Sequence, residues 1–504
     1  MMVAVARALA GLALVALASS PAWARGGGGH SFSGGGSHGG GGGGNGAGLL
    51  IELIVRLLWW LFTRHPLLAI PLMIVAVVVA VKVRQAMGGM IDLTLGGTPI
   101  AAGRLSPQPL PPSESPRRRL ERLRDDGRDP GFSVVLFEDF LYALYAKAQE
   151  ARGAHTLDSL APWVSGPARA ALAAAAEGLT AVEAVVVGAM RYLGVSDVTP
   201  ASAQVRVKVE FEANYTEVRG GERQSHYVVE RWELVRATRA RSRTPDTIRT
   251  FGCPSCGAPL DRMRGNVCGY CGKAVDTGEF DWLLERVQIV SKRPRGPQLT
   301  GTTEEEGTDL PTVTDPEAAS RLAALQARDA SFSWEAFEAR VALVFQEFQA
   351  AWSDRDLPRM RPWLSDSLFE TQTYWVEAYR RAGLRNRLEA ARVLGVTLAR
   401  VGSDAYYDGI MVRVAAEGLD YTVTEEGRLV GGNKTRPRRF TEYWTLIRGV
   451  SAKGPSRADK GCPSCGAPLA INMAGQCEYC SSRVTSGEFD WVLSRIEQDE
   501  AYTG

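Results

Sequence analysis

Cys253-Pro254-Ser255-Cys256-Gly257-Ala258-Pro259-Leu260 returns unchanged as Cys462-Pro463-Ser464-Cys465-Gly466-Ala467-Pro468-Leu469. A second C-x-x-C pair follows each octet: Cys268 and Cys271 in the first, Cys477 and Cys480 in the second. The full pattern, C-x2-C-x11-C-x2-C, supplies four soft thiolates, and a zinc ion takes such ligands as a tetrahedron. Two structural zinc ions are expected, one on Cys253, Cys256, Cys268 and Cys271 and one on Cys462, Cys465, Cys477 and Cys480. Four sulfurs leave no open coordination position, so each ion is a staple and not a hydrolytic centre. Gly257, Gly269, Gly272 and Gly466 suit the tight turns that bring paired sulfurs onto one ion. Disulfides or an iron–sulfur cluster are the competing uses of the same residues. All eight cysteines fall in these motifs. None is left over as a nucleophile, and a reducing compartment follows most simply.

The octets belong to a longer internal repeat. Phe132-Ser133 and Phe137-Glu138 reappear as Phe332-Ser333 and Phe337-Glu338, and Pro162-Trp163-Val164-Ser165 as Pro362-Trp363-Leu364-Ser365. Leu193-Gly194-Val195 matches Leu394-Gly395-Val396, Trp232-Glu233-Leu234 matches Trp444-Thr445-Leu446, and Gly278-Glu279-Phe280-Asp281-Trp282 returns at 487–491. The offset drifts from 200 to 201, 212 and 209, as for one unit duplicated and then altered in its loops.

Each copy reads helix first and sheet second. Phe137, Phe140, Leu141, Leu144 and Tyr145 keep helical spacing, as do Phe337, Val341, Val344, Phe345 and Phe348. Helices are expected to continue through 156–188, around Pro162-Trp163 and an alanine run. Val205, Val207, Val209 and Phe211 alternate with Arg206, Lys208, Glu210 and Glu212, the signature of a half-buried strand. After Gly220-Gly221, residues 223–236 read as its hairpin partner. The second copy offers strands at Met411–Ala415 and Phe440–Arg448, with Gly431-Gly432-Asn433 in the turn region. Phe280, Trp282, Phe489 and Trp491 alternate with acids and read as a strand docking each ribbon, with the two tryptophans themselves read as core. The order predicts an α+β fold with helices on one face of a curved antiparallel sheet.

The N-terminal region addresses the chain to a membrane. Arg7, the apolar run Ala8–Ala18 and Ala22-Trp23-Ala24 make a signal peptide over 1–24. Residues 25–48 are a glycine-rich tether. Within 49–85, Leu49–Phe62 reaches only roughly 20 Å and carries Glu52 and Arg56, so an interfacial helix is expected. Pro66–Val83 is apolar up to Lys82 and is the expected single transmembrane helix. Lys82, Arg84, Arg104, Arg117, Arg118, Arg119, Arg122 and Arg124 all follow it, so the positive-inside rule sets the C-terminal domains in the cytoplasm. The excess of arginine over lysine suggests a bacterial chain, hence the bacterial cytoplasmic (inner) membrane. The remaining layout is a linker at 86–131, a first domain at 132–250, its zinc ribbon at 251–290, a linker at 291–331, a second domain at 332–460 and its ribbon at 461–497. The basic run at 116–124 could lie on anionic lipid or form a solvated helix face.

The aromatic helix, the Pro-Trp-(Val/Leu)-Ser helix and the strand pair ending in Trp232 or Trp444 together resemble the Tim-forty-four-like domain family, over roughly 132–250 and 332–460. The family is named for a subunit of the mitochondrial inner-membrane import translocase. The resemblance implies a nuclear-transport-factor-two-like cone, a curved sheet wrapped by helices around an apolar pocket. It also implies association with membranes and binding of lipid or membrane proteins. The ribbons and the duplication depart from the mitochondrial protein, so a role in protein import is not carried over.

Charge narrows the function. The chain holds 58 Lys and Arg against 56 Asp and Glu, too balanced to predict a nucleic-acid partner. Arg236, Arg239, Arg241 and Arg243 form a local basic run that suits a solvated loop or a lipid contact. An enzyme would need an acid or base in a pocket. His155 aligns with Arg355, His226 has no counterpart, and Glu138/Glu338 and Glu230/Glu442 match across the copies. No nucleophile–base constellation is present. The expectation is a membrane-anchored, non-catalytic binding or scaffold protein. An enzyme using a cone pocket and a nucleic-acid-binding ribbon protein are the alternatives.

Overall fold

The computed structural model describes residues 115–504, except Asp197, Pro200, Asp246, Arg249, Thr250, Pro297, Gln298, residues 300–307, Ala458, Glu500, Ala501 and Thr503. The expected signal peptide, glycine tether, membrane segments and most of the 86–131 linker lie outside the described residues. Among the described residues no helix is long and apolar enough to cross a membrane.

The first half opens with α1 (Pro116–Asp125), inside the stretch expected to be linker. Leu120 and Leu123, three residues apart on one helix face, are fully buried. Arg117 and Arg118 do not project freely: Arg117 pairs with Glu138 at 3.1 Å, and Arg118 engages Glu317 and Glu121. The aromatic helix α2 (Val134–Gly153) starts where Ser133 Oγ accepts a hydrogen bond from the Leu136 amide at 3.2 Å. It buries Phe137, Phe140, Leu141, Leu144 and Tyr145, each contributing about 1.5–3 kcal/mol of transfer free energy. A shorter helix, α3 (Gly166–Ala174), follows the Pro-Trp-Val-Ser motif.

The chain then turns extended, with β1 (Ala181–Ser196), β2 (Gln204–Arg219) and β3 (Glu222–Ala237). β1 replaces the helix expected up to 188. Val182, Val185, Val186 and Val187 are β-branched, lose rotamer freedom in a helix and fit a pleated surface. The β2–β3 hairpin is the expected one: Arg219 pairs with Glu222, and Gly220 and Gly221 take φ of 56° and 90°, as a two-residue primed turn requires. Within the ribbon come the two-residue strands β4 (Met263–Arg264) and β5 (Val267–Cys268). β6 (Leu283–Arg293) then pairs with β3, closing the sheet in the order β1-β2-β3-β6.

The second half repeats the plan with α4 (Ala318–Arg328), α5 (Trp334–Asp354), the single turn α6 (Leu357–Met360) and α7 (Asp366–Arg381). Next come β7 (Leu384–Ser403), β8 (Tyr407–Thr424), β9 (Leu429–Gly432), β10 (Arg438–Gly449) and β11 (Val492–Gln498). Its sheet runs β7-β8-β10-β11, with β9 added to β8. Gly431 and Gly432 lie in β9 itself, and Asn433 makes the turn by accepting from the amides of Thr435 and Arg436 at 2.8 Å each. Both first strands bulge at the same place: Ala184 (φ 52°) and Ala390 (φ 50°) break the register with β2 and β8. Such bulges bend a strand and increase its twist.

Two sequence motifs find their reason here. Val164 and Leu364 each form a parallel bridge to the strand after the ribbon, at Leu284 and Leu493. Ser165 and Ser365 then donate their amides to those leucine carbonyls at 2.9 Å and cap the next helix with their hydroxyls. Both halves fall in one compact unit. Arg117 joins Glu497 of β11 at 3.2 Å, Arg495 reaches Glu138, and Arg400 holds Glu121 at 2.7 Å. Tyr406 and Tyr407 of the second half pack on the first core.

Candidate metal centres and a first-half cleft

The sulfurs of Cys253, Cys256, Cys268 and Cys271 lie within 4.8 Å of one another, and so do those of Cys462, Cys465, Cys477 and Cys480. Sγ–Sγ separations are 3.9 Å for Cys253–Cys271 and Cys462–Cys480, and 4.0 Å for Cys256–Cys268 and Cys465–Cys477. None of the eight is in a disulfide. A tetrahedron with metal–sulfur bonds of about 2.3 Å has edges of about 3.8 Å, so both clusters fit a four-thiolate ion.

Backbone hydrogen bonds shape each half-site. Gly257 N donates to Cys253 O at 2.7 Å, and Gly272 N to Cys268 O at 2.8 Å. Gly466 N to Cys462 O and Ser481 N to Cys477 O, both at 2.8 Å, repeat them. Each turn ends in the left-handed region, with φ of 76° at Gly257, 70° at Gly272, 77° at Gly466 and 60° at Ser481. Glycine adopts that region freely and serine does not. Gly269 is needed for a different reason. A Cβ there would stand 2.2 Å from the Arg262 carbonyl oxygen.

The ribbons are insertions between the third and fourth strands of their sheets. The expected strand at Gly-Glu-Phe-Asp-Trp starts only after the tryptophan. Asp281 Oδ1 accepts the Trp282 amide, and Asp490 Oδ1 the Trp491 amide, both at 2.8 Å; this local bond competes with a sheet ladder. Trp282 and Trp491 then enter the two cores. Over each lies a buried arginine: Arg236 Cζ stands 4.9 Å from the Trp282 ring and Arg448 Cζ 4.8 Å from the Trp491 ring. Arg236 pairs with Asp129, and Arg448 with Asp329, both at 2.9 Å. The sequence suggests for Arg236 a place in a basic run on a solvated loop or against lipid. In the structure Arg236 is fully buried, and Arg243 is tied to Asp281 at 2.7 Å. The missed signal was the equal spacing of Trp232 to Arg236 and Trp444 to Arg448.

A cleft of about 190 Å³ opens in the first half between α3 and β6. Ala171, Leu172, Ala175, Val287 and Ile289 line its mouth, and Gln149, Arg152, Tyr215 and Glu230 its floor. Glu230 accepts from Gln149 Nε2 at 2.9 Å and Trp232 Nε1 at 2.9 Å. Burial pushes its pKa above the ordinary carboxylate range. Glu217, beside it, behaves oppositely. Burial alone would raise its pKa, but Lys292 at 2.6 Å and Arg152 at 2.9 Å hold it at about 2.

The second half keeps the acid and fills the space. Trp444 Nε1 donates to Glu442 at 2.9 Å. At the 200-residue offset, Trp352 stands for Arg152, Gln372 for Leu172 and Trp375 for Ala175, all three buried. The two histidines take structural places. His155 (φ 56°) and Arg355 (φ 57°) both occupy left-handed positions after a helix, and His155 Nε2 meets the Leu179 carbonyl at 2.8 Å. His226 Nδ1 is 4.0 Å from Glu217, and burial lowers its pKa. Glu138 lies between the halves among Arg117, Arg495 and Tyr192. Its match Glu338 is half-buried and makes no such junction.

Comparison with known proteins finds the Tim44-like domain over residues 318–456. The matched stretch starts at the first residue of α4 and ends just past β10. No curated protein matches the chain. Among solved structures, a protein described as "Ntf2 like protein involved in plasmid conjugation" matches at 7% identity. That match covers 71% of this chain and 94% of that chain, with a TM-score of 0.18.

Proposed function

We propose that the chain is a membrane-anchored, non-catalytic binding or scaffold protein. Its soluble part is read as two Tim44-like domains of the nuclear-transport-factor-two-like cone type, each stapled by one structural zinc ion. The observation that carries this reading is the state of the buried acid in each half. Glu230 and Glu442 are the residues best placed to serve as a pocket acid or base, and both are engaged by the indole of the tryptophan two residues on. Glu230 also takes the Gln149 amide. Such a carboxylate organises its surroundings and has no free geometry for proton transfer to a bound substrate.

Zinc suits the two clusters because four thiolates satisfy it completely, which removes it from hydrolytic chemistry. The open first-half cleft, apolar at its mouth, is the binding site on this reading. The partners are lipid or membrane proteins, and no nucleic acid is expected. The domains stand on the cytoplasmic side of a bacterial inner membrane, behind the Pro66–Val83 segment.

Crosslinking in intact membranes followed by mass spectrometry tests the reading. Recovery of a membrane protein, or of lipid alone, supports it. A turnover assay abolished by Glu230→Gln in a folded protein would sink it. The topology is tested separately, by protease added to intact spheroplasts: digestion of the C-terminal domains there would overturn the cytoplasmic placement.

A further inference from the structure

The second half carries a further cleft, built on an insertion that the β2–β3 turn of the first half lacks. Where the first half turns from β2 to β3 through Gly220-Gly221, the second inserts a longer excursion that includes β9. This insertion helps to wall a cavity of about 360 Å³, at the lower end of the roughly 300–1,000 Å³ of small-molecule sites. Arg385 and Arg387 are alternate residues of β7 and so share a face. They pair in register with Val423 and Tyr421 of β8, whose buried side chains form the floor.

The charges here are unbalanced. Arg385 makes no direct hydrogen bond among the described residues and is met only by the charge of Glu425. Lys434 stands 5.2 Å from the Tyr421 ring centre and donates only to the Gly427 carbonyl, at 3.4 Å. Arg387 reaches the exposed Glu389 at 3.2 Å. Glu425, the one carboxylate of the lining, is engaged by Arg355 through bonds of 2.6 and 3.1 Å. Arg355, Arg385, Arg387 and Lys434 set against Glu389 and Glu425 leave two positive charges uncompensated. At the corresponding sheet end of the first half, Glu183 pairs with Arg223 at 2.5 Å.

We infer that this cleft binds a phosphate dianion carried on a small organic body, held by Arg385, Arg387 and Lys434 over Tyr421. Two surplus cations match a dianion, and planar guanidinium forks suit phosphate oxygens. Glu426, next to the lining, faces Arg428 and so leaves this balance unchanged. The phosphate could belong to a free metabolite or to a lipid headgroup. The inference is independent of the first-half cleft, and an enzyme would carry the site equally well.

Calorimetric titration of the full chain in neutral detergent tests it, with disodium phenyl phosphate and water-soluble dioctanoyl phosphatidic acid as probes and dioctanoyl phosphatidylcholine as control. Saturable phenyl phosphate binding assigns a free phosphate ester, and binding of phosphatidic acid alone assigns a headgroup. In either case Arg385→Gln and Lys434→Gln should each weaken binding on the order of tenfold, the scale of one charge-assisted bond. Arg439→Gln, a change at an exposed arginine outside the lining, should leave it unchanged. Binding of neither probe, equal binding of the phosphatidylcholine control, or equal weakening by Arg439→Gln would overturn the site. Lys434 is exposed, so its variant remains informative if Arg385→Gln disturbs folding.

Discussion

Asp129→Asn should be among the most damaging near-isosteric changes in the first half. Arg236 and Asp129 are 0% and 1% exposed and pair at 2.9 Å. Asparagine keeps the shape and one acceptor oxygen but leaves the guanidinium charge buried without a counter-ion. Arg236 Nε and Nη2 already lack partners, Nη1 keeps only the Ser242 hydroxyl at 3.0 Å, and the other nearby acid, Asp281, is committed to Arg243 at 2.7 Å. Breaking a buried pair from one side costs about 3–5 kcal/mol. At roughly 2–4 °C per kcal/mol for a domain of this size, the midpoint falls by roughly 6–20 °C. Arg236→Met should cost less, because Asp129 retains the Ser242 hydroxyl at 2.7 Å and the Ser242 amide at 3.1 Å. The double variant should recover part of the loss, because removing both charges leaves no unpaired ion in the core. Thermal unfolding of the four proteins, at equal zinc content, closes the cycle. A loss below about 0.5 kcal/mol for Asp129→Asn, or a double variant as unstable as the sum of the singles, would refute the assignment of this pair as a structural latch.

Metal analysis should find two zinc ions per chain and one in Cys268→Ser; in that variant β6 should lose hydrogen-exchange protection while β11 keeps it. Ser481→Gly should relieve a left-handed serine, worth about 0.5–1 kcal/mol after glycine's own entropy cost, and slow zinc loss from the second ribbon to a chelator. For pH, Glu217 is held at about 2 in the folded chain, below its ordinary range of about 4.3. The unfolded state therefore binds the extra proton, so its contribution is complete above about pH 5 and disappears as pH falls towards 2, about 3 kcal/mol over the window. Glu217→Gln should flatten the acid side of a stability–pH curve; an unchanged slope would count against the Lys292 and Arg152 contacts.

The sequence made the ribbons and the aromatic helices legible because both rest on short-range spacing. Four cysteines at fixed separations and apolar residues at i, i+3 and i+4 survive any change in the loops between them. The first strand of each sheet was hidden by its neighbour: the alanine run of α3 leads directly into Ala181, and helix propensity outweighed four valines. Helices α1 and α4 were concealed by composition, since Pro116 and the arginines of α1 imitate a linker while Leu120 and Leu123 supply only one apolar pair. The first-half cleft and the basic cleft of the second half were not readable at all. Each depends on which side chains from distant strands and helices share a wall, and a single sequence without pairings cannot supply that.

The place of the ribbon would give a metal ion bound by its cysteines a consequence beyond those few residues. The fourth strand of each sheet can dock only after the chain has left the third, passed through the ribbon and returned. In the first half that excursion is the 45 residues Thr238–Trp282. Closing a flexible loop of that length costs about 3 kcal/mol in entropy, a penalty set against the pairing of β6 alone. A metal ion that ties Cys253 and Cys256 to Cys268 and Cys271 shortens the free path on both sides. Arg243 on Asp281 and Arg236 above Trp282 then fix the return point. Strand β6 supplies Val287 and Ile289 to the mouth of the first-half cleft, and Lys292 from the same strand steadies Glu217 beside its floor. The four cysteines are therefore remote from the cleft in sequence but coupled to it through one strand. Loss of the ion should loosen the cleft mouth before it unfolds the aromatic core: β6 gives that core Leu284 and Val287, but the rings of Tyr145, Phe211 and Trp232, on α2, β2 and β3, pack on one another at 4.8–5.3 Å.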